Sequence, residues 1–348
     1  MKTNRTGRWL GVTLAAAALL VLAPVAEATI DGITGTTFSF TAKDGYISTP
    51  DGGSIYCWGY ADDGNSIGGV MQYPGPTLIV DQGDSVTITL TSMILDTKTE
   101  DPTDYLPVSL IFPGHSADAV GGSTGAITQE STGPADVVTY EFVADNPGTY
   151  LYHSGTDPKV QVEMGLLGVI VVRPTGYTDT NRTAYGTEAT AYGHEYLFLH
   201  TEMDPRVHQH YEFGHVGPEW DNTEWFSVYW FLNGRAAPDD LLEPFVPWLP
   251  HQPYNITPRA HPGDKVLMRV VGAGRESHPF HHHGDHAQVI AQDGQLLDSD
   301  GLGELDLSYQ VFTIMVNPGQ TTDALFDWTG EKMGWDIYGT VADGMPEH

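Results

Sequence analysis

The stretch Pro76-Thr-Leu-Ile-Val80, with Gly83-Asp84 and Val86-Thr-Ile-Thr-Leu90 close behind it, reads as strand, tight turn, strand. Its pattern returns as Asn255-Ile-Thr-Pro-Arg259, Gly263-Asp264 and Val266-Leu-Met-Arg-Val270. Farther along, Val138-Thr-Tyr-Glu-Phe142 leading to Gly148-Thr-Tyr-Leu-Tyr152 corresponds to Thr322-Asp-Ala-Leu-Phe326 leading to Gly334-Trp-Asp-Ile-Tyr338. Two copies of one Greek-key β-sandwich follow, so the expected fold class is all-β. With 40 Gly and 23 Pro, the chain is punctuated by turns throughout, and no long run of period 3.6 competes with the strands.

The ends and the middle set the expected boundaries. Lys2, Arg5 and Arg8 precede an apolar run from Leu10 to Val25, and Ala26-Glu27-Ala28 offers a small-residue cleavage site. This predicts a secretory signal peptide over 1–28, cut near Ala28/Thr29, and a periplasmic or extracellular location. The run is shorter than the ~20 residues that span a bilayer, so no membrane anchor is expected after cleavage. The first domain is expected over 29–175, a Thr-, Tyr- and Gly-rich linker over 176–193, and the second domain over 194–348.

Forty-five acidic against fifteen basic residues give a net charge of −30, which disfavours nucleic acid and anionic lipid as partners. A cation or a basic redox partner fits that surface, as does simple solubility in a salty habitat. Cys57 is the only cysteine, so no disulfide forms within the chain. Between Tyr56 and Trp58 in a strand-like run, it reads as a buried apolar thiol, with metal binding or pairing between chains left open.

Tyr73-Pro-Gly-Pro-Thr77, Gly148-Thr-Tyr-Leu-Tyr-His153 with Gly165-Leu-Leu-Gly168, and His278-Pro-Phe-His-His-His-Gly284 resemble the cupredoxin domains of multicopper oxidases, laccases and copper nitrite reductases. The wording Gly155-Thr-Asp-Pro158, Tyr229-Trp-Phe-Leu-Asn-Gly234 and Gly334-Trp-Asp-Ile-Tyr-Gly339 is similar to a bacterial branch of multicopper-oxidase-domain proteins. The resemblance implies two cupredoxin-like domains and copper chemistry. It also implies where ligands belong. A blue-copper centre needs a thiolate, two imidazoles and a weak axial ligand. In the first domain the resemblance puts Ser154 at the cysteine, Gln161 at a histidine and Leu166 at the axial methionine; in the second, His278 keeps a histidine but Gly339 replaces the cysteine. Of the four His-x-His pairs around a trinuclear cluster, Ile111 and Pro113 replace the first, His153 and Gly155 the second, and Tyr338 and Thr340 the fourth, while His281 and His283 complete the third.

No blue-copper centre is therefore expected. On an extended strand, His281 and His283 project to one side. Two-domain relatives place their active centre between the first domain of one subunit and the second domain of the next, in a trimer. The resemblance thus implies a homotrimer in which His153 meets His281 and His283 around one copper ion, with His278 beside them and His115 and His286 as weaker candidates. Electrons would then have to come from an external redox partner or from the substrate itself at the ion. A metal-free relic of the site, a non-catalytic copper-binding module and a purely structural scaffold remain open alternatives. His208, His210 and His215 read as surface residues of an inter-strand loop, and Glu202, Asp204 and Arg206 as a structural salt bridge. Trp58, Trp225, Trp230 and Trp328 are expected in cores or domain seams.

Overall fold

The computed structural model describes residues 30–64, 69–99, 101, 103–214 and 220–329. The leader, His215 and the positions Tyr338, Gly339 and Thr340 lie outside the described residues. The first half is built from β1 (Ile33–Thr34), β2 (Thr37–Ser48), β3 (Ser54–Asp62), β4 (Leu78–Asp81), β5 (Ser85–Ser92), β6 (Asp118–Gly121), β7 (Ser123–Thr124), β8 (Gln129–Glu130), β9 (Val138–Val143), β10 (Gly148–His153) and β11 (Leu167–Arg173). The second half contributes β12 (His194–Met203), β13 (Tyr229–Leu232), β14 (Lys265–Gly272), β15 (His278–His281), β16 (Ala287–Gln292), β17 (Gln295–Leu296), β18 (Tyr309–Val311), β19 (Thr313–Val316) and β20 (Thr321–Asp327). Two short helices join them, α1 (Pro158–Gln161) and α2 (Pro205–Glu212). The architecture is all-β, as the turn-rich sequence predicts.

The internal repeat is realised as pairing. β5 runs parallel to β2 and antiparallel to β9, with Ile88 opposite Tyr140. β14 runs parallel to β12 and antiparallel to β20, with Met268 opposite Ala324. In the first half a five-stranded sheet, β3-β2-β5-β9-β6, faces a four-stranded sheet, β1-β4-β11-β10. Phe40, Trp58, Ile88, Tyr140, Tyr152 and Ile170 fill the space between them. β5 alternates buried and less buried residues along its length, the period-two signature of a strand with one face on a core.

β11 and β14 break that alternation. Leu-Gly-Val-Ile-Val-Val-Arg in β11 is buried at every position, because Ile170 and Val172 face the sandwich while Val169 and Val171 face the other half of the chain. There they meet Leu197 and Leu199 of β12 and Val271 of β14. A continuous apolar run is what a strand buried on both faces requires. The two sheets thus pack back to back across a buried seam.

Charge is buried in that seam as well. Glu195 of β12 accepts hydrogen bonds from Arg173 of β11 and from Arg269 Nε of β14, the latter at 3.1 Å. Arg269 also reaches Asp323 of β20 at 3.3 Å and Thr149 Oγ1 of β10 at 2.9 Å. Tyr185 donates to Asp323 at 2.7 Å, and Arg173 donates to Tyr192 at 3.0 Å. Two guanidiniums and two carboxylates balance one another with almost no contact with water. The segment that holds Tyr185 and Tyr192 packs Ala184 and Tyr192 against Leu267, Ile290 and Leu325.

Two expectations are corrected. The stretch after Met203 is not an open loop: Asp204 caps α2 by accepting from Arg206 N at 3.0 Å, and Pro205 occupies the first helical turn. Val207, His208 and Tyr211 then share one buried face, so His208 is a core residue and not a surface one. Trp58 is buried as expected, but Trp230 stands 54% exposed with its indole N–H on Glu276 at 3.1 Å.

Candidate metal centre

In the first half, β10 ends at His153, which forms a two-way backbone bridge with Ile111: N–H to O distances are 2.9 and 3.2 Å. The positions assigned to the first two histidine pairs are therefore neighbours, one holding an alkyl group and the other an imidazole. His153 Nδ1 lies 2.9 Å from Ser154 O, so Nδ1 carries the proton and Nε2 keeps a lone pair. Burial holds this imidazole below the usual histidine range, which favours the neutral form that binds metal. The ring lines a groove of about 300 Å³ between the halves, with Tyr73, Glu163, Thr201, Glu202 and Arg275 among its walls.

The adjacent Ser154, Gln161 and Leu166 are fully buried. Ser154 Oγ donates to Gln161 Oε1 at 2.5 Å, and Gln161 Nε2 donates to Pro107 O at 2.8 Å. Ser154 N bonds Leu166 O at 3.0 Å, so the three positions are contiguous in space as well as in the resemblance. A hydroxyl, a carboxamide and an alkyl group, already bonded among themselves, do not match the thiolate and imidazole donors of a blue-copper centre. Ser154→Ala is expected to cost about 1–3 kcal/mol in chemical denaturation, because Gln161 Oε1 loses its buried donor.

In the second half, β15 carries His278 and His281, and the chain bends away after His281. His281 and His283 have ring centroids 4.9 Å apart, both exposed. His281 Nδ1 lies 2.7 Å from Phe312 O, which fixes the proton there and leaves Nε2 as the available lone pair. His282 packs edge-on against Phe326, centroids 5.2 Å apart, and with His283 it lines an apolar pocket of about 530 Å³. His286 packs edge-on against the same Phe312, with centroids 5.6 Å apart.

The remaining candidates are engaged elsewhere. His278 Nε2 sits 2.9 Å from Glu202 Oε2 and its ring stacks on His200 at 5.1 Å. His200 is pushed down to about 3 by burial and then by His278. His115 stacks between Phe142 and Tyr150, centroids 4.7 and 4.4 Å away, and burial pushes it down to about 4. Tyr150 lies three residues before His153 on β10, so His115 belongs to a different part of that strand. Among the described residues, no three His, Cys, Asp or Glu side chains of the single chain gather around one point in a metal-binding arrangement.

Sequence reasoning missed Glu163 and gave Glu202 the wrong partners. Asp204 and Arg206 do pair, at 2.6 Å, but Glu202 instead accepts from the backbone N–H groups of Arg275 and Glu276 and from His278. Glu163 accepts from Asp204 N at 2.8 Å and pairs with Arg275 Nε at 3.2 Å. Neither partner is near in sequence, so no local motif announces them.

Comparison with known proteins bears on this geometry. The multicopper oxidase family profile matches residues 61–176. The iron transport multicopper oxidase FET3 of Kluyveromyces lactis is 36% identical over 275 residues, covering 76% of this chain and 38% of that protein. Among solved structures, the blue copper oxidase from Nitrosomonas europaea superposes with a TM-score of 0.58 at 21% identity over 84% of this chain and 75% of that one. The copper nitrite reductase from the same organism gives 0.52 at 18% identity over 85% of each chain. The chain spans a little over a third of the length of the FET3 relatives it matches, 35% and 38%. The family match, the curated relatives and the shared fold agree that the chain belongs to the multicopper oxidase superfamily.

Proposed function

We propose that the protein is an exported copper-binding member of its superfamily that holds one copper ion per chain through imidazoles, with no blue-copper centre. The observation that carries this reading is the pair His281 and His283, side by side and exposed, with the His281 tautomer already set by Phe312 O. His153 supplies the third imidazole from the first domain of a neighbouring copy in a homotrimer. Three neutral nitrogen donors with an open position suit Cu(II).

Bound copper would supply one-electron chemistry. The chain's own residues orient the imidazoles: Ser154 O accepts from His153 Nδ1 and Phe312 O from His281 Nδ1, which leaves each Nε2 for the ion. Because Ser154, Gln161 and Leu166 form a closed hydrogen-bonded group, an oxidoreductase reaction here requires electrons delivered directly by the substrate or by an external redox partner. Copper content per chain, measured with the solution mass after Cu(II) loading, tests the proposal. One ion per chain in a trimer supports it, and an ion-free chain in any oligomeric state overturns it.

A further inference from the structure

Cys57 takes no part in the histidine site. It lies in the middle of β3, fully buried where the two halves meet. Against it lie Met203, the last residue of β12, and His208 of α2, both equally buried. His208 Nδ1 is 3.7 Å from Cys57 Sγ, and Met203 Sδ is 4.0 Å from it. The other His208 nitrogen, Nε2, is buried with no hydrogen-bond partner, and Glu163 Oε1 stands 3.7 Å away.

These separations have a chemical meaning. Metal bonds of about 2.3 Å to sulfur and about 2.0 Å to imidazole nitrogen place trigonal ligands about 3.7 Å (S to N) and about 4.0 Å (S to S) apart. Cys57 Sγ already stands at those two distances from His208 Nδ1 and Met203 Sδ. Thiolate and thioether are soft donors that select Cu(I). Charge balance points the same way: one thiolate cancels one monovalent cation, and a dry interior tolerates a neutral assembly far better than a charged one.

We infer that Cys57, Met203 and His208 form a buried site for a soft monovalent ion, Cu(I), separate from the exposed histidines. Binding exchanges the thiol proton for the ion: the S–H bond breaks, the S–Cu bond forms, the proton leaves to solvent, and no oxidation state changes. His208 then carries its ring proton on Nε2, toward Glu163, in the carboxylate–histidine arrangement that orients metal-bound imidazoles. Nδ1, which lies 2.5 Å from Tyr56 O, turns from that carbonyl to the ion. Because Cys57 belongs to the first half and Met203 and His208 to the second, the ion ties the halves together.

Silver(I), soft, monovalent and redox-inert, is the probe. Titrated into the full-length protein, it is expected to bind tightly at one ion per chain and to raise the thermal midpoint. Cys57→Ser is expected to weaken that binding at least ~100-fold, and Met203→Leu, which conserves volume, by roughly 10-fold. Should Cys57→Ser fail to fold, Met203→Leu decides alone. The inference is overturned by a wild-type protein whose midpoint silver does not move, or by Met203→Leu protein that binds silver as wild type does.

Discussion

Replacing Glu195 with Gln is expected to cost about 3–5 kcal/mol of stability in urea denaturation, because it leaves a guanidinium uncompensated in a buried seam. Glu195 bridges Arg173 and Arg269, and all three are almost fully buried. Asp323 can balance only one of the two cations. Burial by itself would raise the Glu195 carboxyl, but the Arg269 and Arg173 charges and the hydrogen bonds from both outweigh it and hold the group below the usual glutamate range. With the folded-state value depressed, the stabilisation is fully present above the ordinary glutamate range and is lost as pH falls through the folded-state value. The wild-type protein should therefore weaken in acid, and the Gln variant should lack that part of the pH dependence. A loss below about 1 kcal/mol, the range of an exposed pair, would show that water reaches the network.

Substituting His281 with alanine is expected to lower Cu(II) affinity at least ~100-fold, since loss of a ligand exceeds the 10–100-fold effect of losing an outer partner. His153→Ala should do the same, although the two residues lie in different parts of one chain: the groove between the halves and the exposed bend after β15. Mixing the two variants under conditions of subunit exchange should restore part of the binding, because each supplies the imidazoles that the other lacks. A site contained within one chain would never be rescued. Loaded with Cu(II), the wild-type protein should also lack the intense visible band of thiolate-bound Cu(II). A strong blue colour would mean that Cys57 takes Cu(II), and the reading of the histidines as the Cu(II) site would fall.

Part of this protein is written in short stretches of chain. The repeat from Pro76 to Leu90 and from Asn255 to Val270 specifies strands, turns and a doubled sandwich, because turn chemistry and strand propensity act over a few residues. The identities of Ser154, Gln161 and Leu166 likewise show directly that a hydroxyl, an amide and an alkyl group stand together after β10, none of them a thiolate or an imidazole. Asp204-Pro205 signals a helix start in the chain itself, whereas the burial of His208 depends on what that helix packs against.

The strand pattern and its repetition are local properties, set by backbone conformation and side-chain type over a few residues, and they can be read from the chain directly. Only the tertiary structure decided that Glu202 holds His278, that Glu195 neutralises two arginines from different strands, and that Cys57 meets Met203 and His208. Those partners lie 22 to 151 residues apart. Proximity of that kind is set by how two sheets pack across a seam, and packing acts on buried faces that no stretch of sequence contains on its own.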